Sequence, residues 1–243
     1  MIEHLHINKL KPDSRFKFCD IRDIDFKPGI NLILGANTSG KTSIISSIQD
    51  FVGYSNNLWS EYQNLTHLKN YQLKVKNDFN VEITGKVCKY INYKPQELAE
   101  VKEFNYNTQA DFRTRLLSNF QSRGEGRRSY HDHFVSYVQN NHSFTEDEIL
   151  QLAQNYSPDV NDIDLKTLLI TADEPENSMA INMQFGLFDW FCEFTKAWGD
   201  RLQIIIATHS IAAFKLADKN LPFVNVIELN KGWIKRINKY IYE

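Results

Sequence analysis

Apolar residues are distributed along the chain in three distinct patterns. Three short runs are apolar at nearly every position: Ile30-Asn31-Leu32-Ile33-Leu34, Leu168-Leu169-Ile170-Thr171-Ala172 and Gln203-Ile204-Ile205-Ile206-Ala207. Bounded runs of this length, rich in β-branched residues, predict strands buried on both faces, as in a parallel sheet. A second pattern alternates, in Tyr71-Gln72-Leu73-Lys74-Val75 and in Val81-Glu82-Ile83-Thr84-Gly85-Lys86-Val87. It predicts half-buried antiparallel strands with Asn77-Asp78 near a turn. The stretch 101–106 is also strand-like.

The third pattern has helical spacing. Ile44, Ile45 and Ile48 share one helix face, as do Tyr130, Phe134, Tyr137 and Val138. Residues 111–119 are a further helix candidate. Thr145-Glu146-Asp147-Glu148 has the form of a capping box ahead of Ile149, Leu150, Leu152 and Ala153, and Ser157-Pro158-Asp159 closes that helix. Residues 185–194 are apolar nearly all round a helix, which places them in the core or at an interface. Lys231, Lys235, Arg236 and Lys239 are expected on a charged C-terminal edge strand, with nucleic-acid contact as the alternative.

Strands alternating with helices give an α/β fold, a mixed sheet flanked by helices. A chain of 243 residues with 42% apolar content can bury one sizeable core. The expected organisation is a single domain over 1–243, with an antiparallel β subdomain over about 51–107 and a short helical lobe over about 109–164. A formal net charge of −2 gives no bulk basic signal, so nucleic-acid binding requires a local patch or a partner. No apolar run reaches a membrane-spanning length and the N-terminus has no charged-then-apolar segment, so a cytoplasmic protein without a membrane partner is expected. Cys19, Cys88 and Cys192 lie far apart without C-x-x-C spacing, which favours buried thiols over a cysteine zinc site or a disulfide.

The chemistry is concentrated where the buried strands end. Gly35-Ala36-Asn37-Thr38-Ser39-Gly40-Lys41-Thr42, followed by Ser43, stands between a predicted strand and a predicted helix. Backbone N–H groups of such a loop cradle phosphates, Lys41 adds a charge at the β/γ-phosphates, and Thr42 offers a hydroxyl to Mg²⁺. A second strand ends in Asp173-Glu174-Pro175-Glu176-Asn177-Ser178. There Asp173 can join a Mg²⁺ shell and Glu174 can polarise a water, although an acidic pair in a surface turn is also common. The third strand delivers His209, either a structural histidine or a γ-phosphate contact. Ser122-Arg123-Gly124-Glu125-Gly126-Arg127-Arg128 reads as a solvated basic turn or as an anion-accepting helix start. Gln109 follows the 101–106 stretch, where its amide can reach metal or water or simply face solvent.

In this order the motifs resemble the ABC-type ATPase domain, and 25–35 with Asp173-Glu174-Pro175-Glu176-Asn177-Ser178 look most like its RecF, SMC and OLD branch. The resemblance spans almost the whole chain. It implies ATP and Mg²⁺ as cofactors, with Lys41, Thr42 and Asp173 at phosphate and metal, Gln109 near the metal, Glu174 as the base and His209 as the γ-phosphate sensor. It also implies a head-to-tail homodimer in which Ser122, Gly124 and Glu125 act in trans on the ATP of the other subunit. Thr38 stands where many relatives have glycine, Arg123 and Gly126 alter the usual signature, and the long coiled-coil arms of SMC-like proteins are absent.

The resemblance leaves three functions in competition. One is an ATPase whose dimerisation gates a separate effector, a nuclease or toxin of anti-phage defence, for which the 127–164 stretch is either a docking lobe or a solvated helical pair that only covers the core. Another is a repair or recombination ATPase acting on DNA. The third is a transporter motor, for which Phe16 and Phe18 would supply an adenine platform.

Overall fold

A computed structural model describes residues 1–8, 16–57, 73–74, 81–93, 138, 163–177 and 179–242. The element order is β1 (Ile2–Ile7), β2 (Asp23–Asp25), β3 (Gly29–Leu34), α1 (Lys41–Asn57), β4 (Leu73–Lys74), β5 (Val81–Gly85), β6 (Val87–Tyr93) and β7 (Ile163–Asp173). There follow α2 (Ile181–Trp198), a 3₁₀ turn (Gly199–Arg201), β8 (Leu202–Thr208), α3 (Ile211–Asp218), β9 (Val224–Glu228) and α4 (Trp233–Tyr242). Two sheets result. One has five strands in the order β6-β7-β8-β3-β9, parallel throughout. The other has four strands in the order β2-β1-β5-β4, and its pairs are antiparallel.

The three apolar runs became the centre of the parallel sheet, and every residue of β3 and β8 is buried. Alternate side chains leave opposite faces of a strand, so each run feeds two cores. Ile30, Leu32, Leu34, Ile204 and Ile206 pack with Leu187, Phe188 and Phe191 of α2 and with α3. Ile33, Leu169, Ile205 and Ala207 pack on the other face with Ile44, Ile45 and Ile48 of α1 and with Leu5 and Ile83 of the antiparallel sheet. Val138, from the predicted helical pattern around Phe134, is buried in the first core. Phe188, Phe191 and Cys192 of α2 are buried, while Trp190, Phe194 and Trp198 pack only partly against the core. The three cysteines are buried free thiols.

Two buried amides join the sheets. Gln203 in β8 accepts from Ile2 N and donates to Ile2 O, both at 2.8 Å, clamping the first strand's backbone. Asn31 in β3 accepts from Lys27 N and donates to Lys27 O, which fixes the segment entering the strand. Gly29 sits at φ +92 with Phe223 O only 2.4 Å from where a Cβ would be, so no other residue fits at the start of β3.

The C-terminal segment corrects the expectation of an edge strand, because Trp233–Tyr242 is helical. Trp233, Ile234 and Ile237 pack against the first core, and Lys235, Arg236 and Lys239 are exposed on the other side. The spacing i, i+1, i+4 of these apolar residues is helical, and the basic character that suggested a charged edge belongs to the helix's exposed side. The run 81–87 also divides at Gly85: β5 pairs with β1, whereas β6 crosses to pair in parallel with β7. The stretches 101–106 and 111–119 and the capping box at Thr145 lie outside the described residues. Among the described residues no helix is long and apolar enough to cross a membrane.

Candidate active site

The ends of β3, β7 and β8 are neighbours on one edge of the parallel sheet. From β3 the chain enters the Gly35–Gly40 loop and then α1, whose first residue is Lys41. A Cβ on Gly35 would lie 2.7 Å from Ser39 Oγ and 3.0 Å from Asn230 Oδ1, so a larger residue would displace the Ser39 and Asn230 side chains that pack against the turn. Thr38 at φ 68 and Gly40 at φ 97 adopt left-handed backbone, and Ser39 N donates to Ala36 O to close the turn. Asn37, Thr38 and Thr42 are exposed, while Ser39 and Ser43 are buried. Asn230 braces the loop from the far side: its Oδ1 accepts from Ala36 N at 2.9 Å, and its Nδ2 donates to Phe18 O.

Lys41 is only 6% exposed. Its Nζ donates to Gly35 O and Ala36 O, each at 3.0 Å, and so is held under the loop. Burial pushes the ammonium pKa down, while the carboxylates of Glu174, Asp173 and Glu176 oppose that shift. The result is a cation aimed into a turn whose N–H groups and helix start also favour an anion.

β7 carries the acidic pair to the same edge. Burial raises the pKa of Asp173, opposed by its hydrogen bond with the Thr42 hydroxyl. Asp173 Oδ1 is buried and has no hydrogen-bond partner among the described residues. A hydroxyl beside an ionisable carboxylate with an orphaned oxygen is a hard-oxygen donor set, and it fits Mg²⁺, which takes one or two carboxylates together with phosphate oxygens. Glu174 has φ 45, a strained conformation for a non-glycine residue. Its N–H donates to Ala207 O at 2.8 Å, pinning the kink to β8. Across the strand ends His209 Nδ1 lies 3.1 Å from Glu174 Oε1, with both side chains partly exposed.

The AAA domain family matches residues 15–188, about 70% of the chain and including the phosphate loop and the acidic strand. The chain belongs to the AAA domain family. No curated protein matches it significantly. Two solved structures are similar to this AAA domain. One is a nucleotide-free ATP-binding cassette from an ABC transporter, 15% identical, with 98% of this chain and 96% of that chain covered at a TM-score of 0.40. The other is the ADP conformation of an ATP-binding cassette of an ABC transporter, 16% identical, with both chains covered in full at a TM-score of 0.40.

Lys41, Thr42, Asp173, Glu174 and His209 converge at one edge of the parallel sheet, whereas Gln109, Ser122, Gly124 and Glu125 lie outside the described residues. Of the two phenylalanines considered for an adenine platform, Phe16 is fully buried and Phe18 is 55% exposed next to the loop brace. Sequence reasoning gave no role to Asn230, nor to the network behind His209. In that network Thr208 Oγ1 donates to Glu176 Oε1 and accepts from Ser210 N. Ser210 Oγ donates to Gln184 Oε1 and caps α3 by accepting from Ala212 N. With Thr208 and Ser210 held inward, His209 between them faces out.

Glu176 is 3% exposed, and its Oε2 has no hydrogen-bond partner among the described residues. Burial raises its pKa from the ordinary 4.5, and the Thr208 hydrogen bond opposes this. A raised folded pKa favours the fold below the unfolded value, and that contribution is lost as pH rises through the folded value. Glu176→Gln is therefore expected to gain stability relative to the parent as pH rises from about 4.5 to neutrality. Urea unfolding of both proteins across that range checks it; a difference that does not change with pH would contradict the buried-acid assignment.

Proposed function

We propose that this AAA domain is an ABC-type ATPase that binds MgATP in the Gly35–Gly40 loop and hydrolyses it. The observation that carries this reading is the meeting of Glu174 and His209, 3.1 Å apart, on the sheet edge that also holds Lys41, Thr42 and Asp173. Lys41 and the loop N–H groups bind the β- and γ-phosphates. Bound Mg²⁺, held by Thr42 and Asp173, supplies charge neutralisation at the phosphates. Glu174 takes a proton from the attacking water, and His209, oriented by Glu174, contacts the γ-phosphate. The exposed Phe18 ring offers a surface for adenine.

The active form in this reading is a head-to-tail homodimer, with Ser122, Gly124 and Glu125 of each subunit completing the ATP site of the other. ATP favours the closed dimer and hydrolysis releases it, which gates a separate effector, a nuclease or toxin of anti-phage defence. A second reading, a RecF/SMC-like ATPase acting on DNA, is favoured by the exposed Lys235, Arg236 and Lys239 on α4. Sedimentation velocity tests the gating step. A slowly hydrolysed ATP analogue with Mg²⁺ is expected to convert monomer to dimer, and Ser122→Arg is expected to block the dimer while sparing nucleotide binding. Saturating nucleotide with no change in sedimentation would overturn the dimer mechanism, and a DNA requirement for dimerisation would favour the second reading.

A further inference from the structure

The solvent face of the antiparallel sheet carries a side-chain cluster that ATP hydrolysis does not use. His4 and His6 are two residues apart on β1, so their rings leave the same face, while Leu5 between them is fully buried. Asp23 and Asp25 on β2 have the same relation, with Ile24 buried between them. The strand register sets His4 opposite Asp25 and His6 opposite Asp23. All four polar groups therefore meet on the outer surface. His4 Nδ1 is 2.8 Å from Asp25 Oδ1, His6 Nδ1 is 2.6 Å from Asp23 Oδ1, and His4 Nε2 is 3.5 Å from the same Asp23 oxygen. One donor atom each from His4, His6 and Asp23 can be chosen so that all lie within 4.8 Å of one another.

We propose that His4, His6 and Asp23 bind a divalent transition-metal ion, and that zinc is the ion the donor set fits. Bonds of about 2.0–2.1 Å at tetrahedral angles separate neighbouring donors by about 3.3 Å. The His4 Nε2 to Asp23 separation already has that length, and the His6 to Asp23 pair reaches it by opening less than about 1 Å. The ion takes the place of the hydrogen bond between His6 and Asp23: the neutral His6 ring gives up its Nδ1 proton and takes one from solvent at Nε2, so that the freed Nδ1 lone pair and the carboxylate oxygen both bond to the metal with no net loss of a proton. Asp25 completes the arrangement. By accepting from His4 Nδ1–H it fixes the tautomer in which Nε2 is the lone-pair donor, the usual relation of a carboxylate to a metal-binding histidine. Two imidazole nitrogens with one carboxylate oxygen suit zinc better than Mg²⁺ or Ca²⁺, which prefer oxygen ligands alone. Three protein ligands leave a fourth position for water or an outside donor.

The location gives the site a structural consequence. Among the described residues β2, a strand of three residues, pairs only with β1, and it continues through the Asn31-clamped segment into β3 and the phosphate loop. A metal shared by His4, His6 and Asp23 cross-links the two strands and stabilises the folded chain by mass action.

The test is titration of the full chain, free of any histidine tag and with millimolar Mg²⁺ present to occupy the hard-oxygen site. CoCl₂ is followed by visible absorption and ZnCl₂ by calorimetry. One equivalent of Co²⁺ with tetrahedral d–d bands is expected, displaced by Zn²⁺, and Zn²⁺ is expected to raise the unfolding temperature. His4→Ala and His6→Ala each abolish the signal, and Asp25→Asn keeps the stoichiometry while weakening affinity by about 10- to 100-fold. Circular dichroism checks that the variants are folded. Absence of Co²⁺ and Zn²⁺ binding at micromolar concentrations would overturn the proposal. So would binding that survives both histidine substitutions, since the ion would then sit elsewhere.

Discussion

Glu174→Gln is expected to lower ATP turnover by about 100- to 10,000-fold, the range that a positioned general base contributes, while ATP affinity changes little. Glutamine keeps the shape of the side chain and can still accept from His209 through Oε1, but it cannot take a proton from water. The backbone at this position is held at φ 45 by the Glu174 N to Ala207 O bond, and the substitution leaves that bond in place. Binding and chemistry therefore separate. Nucleotide affinity from fluorescence titration and the single-turnover rate of phosphate release report the two steps independently. Unimpaired turnover would show that another group serves as the base, and loss of binding in a folded variant would assign Glu174 to the phosphate contact instead.

The second large effect is on binding itself. Lys41→Ala is expected to weaken ATP binding by about 10- to 150-fold, since hydrogen bonds to a charged group are worth about 1.5–3 kcal/mol and each 1.4 kcal/mol is tenfold in affinity. The ammonium is enclosed beneath the loop and bonded to Gly35 O and Ala36 O. Truncation leaves Asp173, Glu174 and Glu176 without their common counter-charge, so the edge repels phosphate more strongly than before. Equilibrium binding measured beside a thermal unfolding curve distinguishes this from simple loss of structure. Unchanged affinity in a folded variant would remove the phosphate-loop assignment.

Much of this edge was legible because burial on both faces leaves a strong mark in sequence. Ile30–Leu34, Leu168–Ala172 and Gln203–Ala207 have too few polar positions for an exposed sheet. Once those strands are parallel neighbours, the loop after the first, the acidic pair after the second and the histidine after the third must share an edge. Long-range polar partners left no comparable mark. Asn230 braces Ala36 across 194 residues, and Gln203 clamps Ile2 across 201, and no local pattern announces either contact. Glu176 gained its place through Thr208, whose hydroxyl makes a buried acid tolerable. The histidine and aspartate pairs of β1 and β2 became a cluster only when the register set them opposite one another. The C-terminal segment reads as an edge strand only from its basic character, whereas the packing of Trp233, Ile234 and Ile237 follows a helical period.

The most direct test of the central claim is single-turnover cleavage of ATP by the purified chain with Mg²⁺, measured across protein concentrations that span dimer formation. Release of one phosphate per ATP bound, faster at higher protein concentration and abolished when Mg²⁺ is removed, is the predicted result. ATP that binds but stays intact at every concentration, or a chain that binds no ATP, would contradict it.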